Sequence, residues 1–195
     1  MARIIVTLAF MASSSLIYGQ MKMKWLAGNF DSLKHENTLR IAFLFDSVRV
    51  DKHATLAEYI DVQKKEHEEK VAGGGEQWEN DWQNNIKNIY EPKFSELFEK
   101  YSGLDVTQPA SRFVLVFRTT RINTNYMSTM IDAEAWLIDN LHRENPPSKI
   151  GLSKVPGDCF HGYCYVLSDR LVQAYAKAGK SLGQYISNLK KGKAD

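Results

Sequence analysis

The chain has 195 residues, 44% of them hydrophobic, 11% aromatic and 25% charged, proportions that fit one folded domain and exclude global disorder. Its 25 cations and 23 anions leave a formal charge of +2, so no strong field favours nucleic-acid phosphates, acidic lipids or acidic substrates.

Residues 1–19 have the three parts of a secretory signal peptide: a basic start at Arg3, an apolar stretch from Ile4 to Met11 continuing through Leu16 and Ile17, and small residues near a cut after Gly19. The stretch is shorter than the roughly 20 apolar residues of a membrane-spanning helix, and no cysteine stands at the cut to carry a lipid. The expectation is an exported chain, periplasmic or extracellular and soluble once cleaved, with one globular domain over residues 20–195.

Residues 20–37 offer anchors such as Met21, Met23, Trp25 and Phe30 without a sustained period, and read as a leader strapped across the domain. Leu39, Ile41, Phe43 and Phe45 alternate with other residues until the phase slips at Asp46-Ser47 before Val48 and Val50, which predicts a strand with a bulge. Thr55 and Glu58 have capping-box spacing ahead of Leu56, Tyr59, Ile60 and Gln63, so a helix starts near Ala54. Gly73-Gly74-Gly75 reads as a loop, since three glycines cost a helix too much backbone entropy.

From Trp78 through Trp82, Ile86, Tyr90, Phe94 and Phe98 to Tyr101, apolar residues recur every three or four positions and define one face of a long helix. Pro92 predicts a bend or break around residues 89–92, and Gly103 an end. Such an aromatic stripe is core before it is a stacking platform. Phe113 to Phe117 reads as a buried central strand. Ile131, Ala133, Ala135 and Leu137 alternate with Asp132, Glu134 and Trp136 as a strand with one wet face, and residues 149–155 supply another strand. A final helix, capped by Ser168 or Asp169, carries Leu171, Tyr175, Ala178, Leu182, Ile186 and Leu189 on one face, with Ala174, Gly179 and Gly183 allowing close packing. Lys190, Lys191 and Lys193 complement its negative end. The predicted fold is α+β, a mixed or antiparallel sheet of about four strands with helices mainly on one face. The crossover through two helices allows the opening strand to run parallel to a neighbour.

Cys159 and Cys164 are the two cysteines of the chain. In an exported protein their spacing permits a local disulfide, which needs Cα atoms within about 7 Å, and equally permits two free, buried thiols. A bridge closing so short a loop contributes only about 2 kcal/mol. Asp158, Cys159, His161 and Cys164 lie close in sequence but lack the paired spacing of structural zinc, so no metal and no cofactor are expected. His67-Glu68-Glu69 opens like a zinc-protease helix, yet Val71 stands where that motif needs its second histidine. His35, His53 and His142 are isolated, and Ser111, Ser128 and Ser153 lack a nucleophile-elbow context. Asp132 and Glu134 face one side of one strand, as a solvated face or an acid pair. If the chain is an enzyme, Asp132, Glu134, Asp158 and His161 are its candidate catalytic residues.

Ala27-Gly28-Asn29-Phe30-Asp31-Ser32-Leu33-Lys34, Gly74-Gly75-Glu76-Gln77-Trp78, Tyr90-Glu91-Pro92-Lys93-Phe94 and the stretch from Arg170 to Lys180 resemble a family of uncharacterised exported proteins of Gram-negative bacteria, a domain of unknown function. The similarity spans nearly the whole chain after the signal peptide. It implies location and fold and transfers no catalytic residue. In that family the segment at 157–162 is glycine-rich without cysteine, so no metal role transfers either. The expectation is a non-enzymatic module that binds a protein partner, a cell-envelope component or a small ligand; an enzyme with a site assembled from separated loops and a self-assembling structural protein are the alternatives.

Overall fold

A computed structural model describes residues 21–144, 147–159 and 164–193; the expected signal peptide and His161 lie outside them. Among the described residues one mixed sheet contains six strands, so the expectation of about four falls short, for two reasons visible in the chain. The first is β1, Lys22–Ala27, which the sequence reading treats as part of a leader. Lys22 and Lys24 are exposed while Met23 and Trp25 turn inward, a period-two pattern too brief to stand out before Gly28, whose φ is 54°.

The second reason is the phase slip at Asp46-Ser47. The chain there forms β2, Arg40–Leu44, and β3, Arg49–Val50, separated by a turn in which Ser47 takes φ 60°. The expected bulge is wide enough to divide the strand. Both pieces pair in parallel with the single long strand β4, Phe113–Asn123, Arg40 opposite Val114 and Val50 opposite Ile122. From β4 the sheet continues antiparallel through β5, Met130–Asp139, and β6, Ser148–Pro156, to β1 at the far edge, in the order β1-β6-β5-β4-β2.

Three helical segments connect β3 to β4. The first, α1, spans Leu56–Lys70; Thr55 Oγ1 accepts from the Glu58 N–H at 3.1 Å, and Glu58 reaches back to the Ala54 N–H at 3.0 Å, a capping pair shifted by one residue. The second, α2, is Gly74–Asn85. Of the three glycines only Gly73 stays outside it, with φ 79°. Gly74 and Gly75 form its first turn because α1 and α2 approach so closely that a Cβ would sit 2.7 Å from the His67 carbonyl oxygen or 2.6 Å from that of Lys64. Pro92 breaks nothing either. A π-helical turn, Ile86–Tyr90, joins α2 to α3, Glu91–Ser102, and the Glu91 N–H bonds back to the Ile86 carbonyl. The wide turn absorbs the donor that proline lacks while the chain stays helical. Gly103 ends α3 at φ 69°.

The last helix, α4, runs Leu167–Lys190; its N-cap is Val166, which offers no side-chain acceptor, in place of the expected Ser168 or Asp169. Gly179 and Gly183 lie against the backbone of α3 at Phe94 and Phe98, the close packing expected of small residues on this face. One side of the sheet meets these helices. Phe117 is fully buried beside Phe94, with ring centroids 4.4 Å apart, and the Tyr175 hydroxyl shares a 2.7 Å hydrogen bond with Thr119. Burial raises the Tyr175 hydroxyl pKa, keeping it a neutral member of the core. Each large apolar side chain buried here is worth about 1.5–3 kcal/mol.

Candidate functional site

The residues singled out by sequence are dispersed. Asp132 sits in an irregularity of the β5–β6 pairing and accepts the Lys154 N–H at 2.7 Å, so its carboxylate takes the place of a ladder acceptor at a position where Lys154 has φ 55°. Glu134 is held by Lys149 at 2.8 Å and Arg118 at 2.9 Å. Burial works against ionisation of Glu134, but the hydrogen bonds from Lys149 and Arg118 outweigh it and hold the carboxyl below its ordinary value. A depressed pKa on an ion-paired carboxylate is the opposite of what a proton donor needs. Asp158 is exposed and bound by Lys177, and His161 is outside the described residues. Asp132 and Glu134 therefore each have their own basic or backbone partner and do not share a proton.

Cys159 and Cys164 are joined by a disulfide, with Cα atoms 6.0 Å apart. This resolves the two alternatives left by their spacing. Among the described residues no group of three or more His, Cys, Asp and Glu side chains is arranged to hold a metal, and no helix is long and apolar enough to cross a membrane.

What the structure does assemble lies on the second face of the sheet. Side chains alternate along β4, so Leu115 and Phe117 enter the core while Val114, Val116 and Arg118 point the other way. Register brings Ala42 beside Val116 and Val116 beside Trp136, with Lys149 next in the row. The Arg118 guanidinium lies 5.2 Å and the Lys149 ammonium 5.7 Å from the Trp136 ring centroid. Glu134 binds both cations, so the indole is fixed between two charges that are themselves neutralised. Beside this cluster lies an open groove of about 600 Å³, floored by Ala42, Leu44, Val114, Val116 and Trp136.

The groove has a basic rim. Arg40 and Arg143 line it, and neither makes an ion pair among the described residues. Asp139, also at the rim, is already taken: Arg112 donates to it at 2.7 and 3.1 Å. The hydrogen bond from Arg112 drops the Asp139 carboxyl to about 2. Leu44 is 38% exposed and Leu141, beyond the end of β5, is 69% exposed. An apolar floor with unpaired cations at its margin suits an amphipathic, acidic surface.

Sequence reading reached Glu134 and the wet face of β5 but missed Trp136, Arg118, Lys149 and Arg40 as a group. Their one sequence signal is alternation; their meeting depends on register between strands far apart in the chain.

No family model and no curated protein matches the chain. Among solved structures it is similar to the PelC dodecamer from Paraburkholderia phytofirmans, at 14% identity and a TM-score of 0.38, over 84% of this chain and 97% of that one. A variant PelC dodecamer from the same organism gives 11% identity, the same TM-score and the same coverage. The likeness is too loose to equate the folds.

Proposed function

We propose that this chain is an exported, non-enzymatic module that docks a protein of the cell envelope on the uncovered face of its sheet. The observation that carries the reading is the groove of about 600 Å³ beside a tryptophan held rigid between two cations. Interface hot spots are enriched in such fixed aromatic and arginine side chains. The apolar floor and the unpaired Arg40 and Arg143 select an amphipathic partner segment with acidic residues. The Cys159–Cys164 disulfide supports an oxidising compartment. Self-assembly through the sheet edge is disfavoured at β1, where Lys22 and Lys24 are exposed, because charged residues on an edge strand oppose edge-to-edge pairing.

The test is site-specific photocrosslinking in envelope extracts, with the crosslinker at Leu44 in the groove and, as control, at Val62 on α1, which is similarly exposed. The expected result is a protein adduct from position 44 alone, identified by mass spectrometry as a partner with an acidic amphipathic segment and reduced at least about tenfold by Trp136→Ala. Identical adducts from both positions, or an adduct that is a second copy of this chain, would overturn the reading.

A further inference from the structure

A second site lies at the opposite end of β5, where the turn after β4, the end of β6 and the start of α4 enclose a cavity of about 280 Å³. Its wall is Tyr126, Met127, Met130 and Pro156, with Lys154 and Arg170 as the cations that reach it. Arg170 is only 8% exposed. An arginine so buried is ordinarily paired with a carboxylate, since removing the charge from water is costly. This one is not.

Its hydrogen bonds all go to neutral acceptors. Nε donates to Thr129 Oγ1 at 2.8 Å, and Nη1 donates to the carbonyl oxygens of Cys164 at 3.0 Å and Tyr165 at 2.9 Å. The guanidinium carbon lies 4.8 Å from the Tyr126 ring centroid. These contacts fix the plane of the guanidinium and leave both N–H groups of Nη2 without an acceptor among the described residues. The nearby acids do not fill that role. Asp158 lines the cavity but is bound by Lys177, and Asp169 precedes Arg170 on α4, where adjacent residues point apart. Residues 160–163 read Phe-His-Gly-Tyr and contain no carboxylate side chain.

The support beneath Arg170 is built as tightly as a core. Thr129 is 5% exposed, and its hydroxyl donates onward to the Asn125 carbonyl at 2.8 Å. Gly157 donates to the Thr129 carbonyl at 2.8 Å, and a Cβ on it would stand 2.5 Å from the Arg170 carbonyl oxygen. The disulfide closes the chain immediately before the two carbonyls that hold Nη1.

We propose that this cavity binds a carboxylate carried on a short apolar group, with Arg170 supplying the charge and the free Nη2 donors, Lys154 lying at the rim, and Tyr126, Met127, Met130 and Pro156 enclosing the apolar part. A single carboxylate fits better than a phosphate, because Nη2 offers two N–H groups, Asp158 at the wall opposes a doubly charged anion, and Tyr126, Met127, Met130 and Pro156 supply apolar contact. The site is separate from the groove on the open face and stands whether or not that face docks a protein.

The experiment is a two-dimensional NMR titration of the intact, disulfide-bonded chain with hexanoate, hexanamide and inorganic phosphate. Hexanoate is expected to give saturable shifts at the Arg170 Nε–H and the Gly157 N–H. The uncharged amide, of the same shape, is expected to bind at least about tenfold more weakly, the usual scale of a charge-assisted hydrogen bond. Phosphate is expected to be weaker than hexanoate. Met127→Glu places a negative charge on a side chain that is 80% exposed at the cavity. It is expected to weaken hexanoate at least about threefold without changing the unfolding midpoint, so the test does not depend on a variant at the buried Arg170. Equal binding of hexanoate and hexanamide, phosphate binding as tightly as hexanoate, undiminished binding by Met127→Glu, or no saturable shift would each overturn the proposal.

Discussion

The two faces of the sheet are made by the same strands, residue by alternate residue, and have opposite characters. On one, Phe117, Ile150 and Leu152 disappear beneath α3 and α4. On the other, Trp136, Arg118, Glu134 and Lys149 are arranged with comparable order, through ion pairs at 2.8 and 2.9 Å, yet nothing covers them among the described residues. The covered face owes its order to burial. The open face owes it to electrostatic bracing of one large ring by partly buried ion pairs, in which desolvation offsets much of the attraction. That organisation is what the proposed docking role draws on.

That contrast is quantitative. The largest expected effect is on the covered face: Phe117→Ala should cost about 3–5 kcal/mol in urea unfolding, since the ring is fully buried and packs on Phe94 and Tyr175. A cost below about 1 kcal/mol would mean that the two faces are not different in kind. Trp136→Ala, a deletion of a larger side chain, should cost only about 1 kcal/mol because half-burial halves the transfer term; a loss matching that of Phe117→Ala would recast Trp136 as core.

The smallest effect concerns the ion pair at the rim of the open face. The Asp139 carboxyl is lowered from its ordinary value to about 2 by the hydrogen bond from Arg112. A depressed folded-state pKa stabilises the fold above the unfolded-state pKa, and that contribution fades as pH falls from about 4 towards 2. Asp139→Asn should therefore lower the plateau near neutral pH slightly and flatten the acid limb, with the two proteins converging towards pH 2. An acid limb identical to the wild type would show that the pair contributes nothing.

How far the sequence reveals this molecule depends on whether a feature is local. The long amphipathic run ending at Gly103, the α1 cap at Thr55, the wet face of β5 and the close helix contact at Gly179 and Gly183 are all written in short-range spacing, and the structure has them. β1 was legible in principle, from Met23 and Trp25 turned one way and Lys22 and Lys24 the other, but so brief a pattern resembles an irregular leader. At Pro92 the expected break does not occur, because a π-turn over Ile86–Tyr90 lets the chain continue as helix. The candidate acids were visible by type, but their partners were not: Asp132 accepts the Lys154 N–H and Glu134 binds Arg118 and Lys149, contacts set by strand register. Arg170 gave no signal at all, because a buried cation and an exposed one look the same until the elements around them are in place.

The parallel pairing of β2 and β3 with β4 has a consequence for the order in which the molecule assembles. The β4–β5–β6 meander and α4 are close in the chain, whereas β2 and β3 reach β4 only after α1, α2 and α3 have been laid down between them. Long-range contacts of this kind form late, because the intervening chain must close before they are rewarded. This edge then docks after the meander and opens before it. Arg40, Ala42 and Leu44 belong to it, so one side of the groove is contributed by an edge strand that docks late. A partner that grips both halves would bind and, in the same act, lock the edge: amide hydrogens of Ile41 and Phe43, exchanging faster than those of Leu115 in the free chain, would slow towards the rate of the interior.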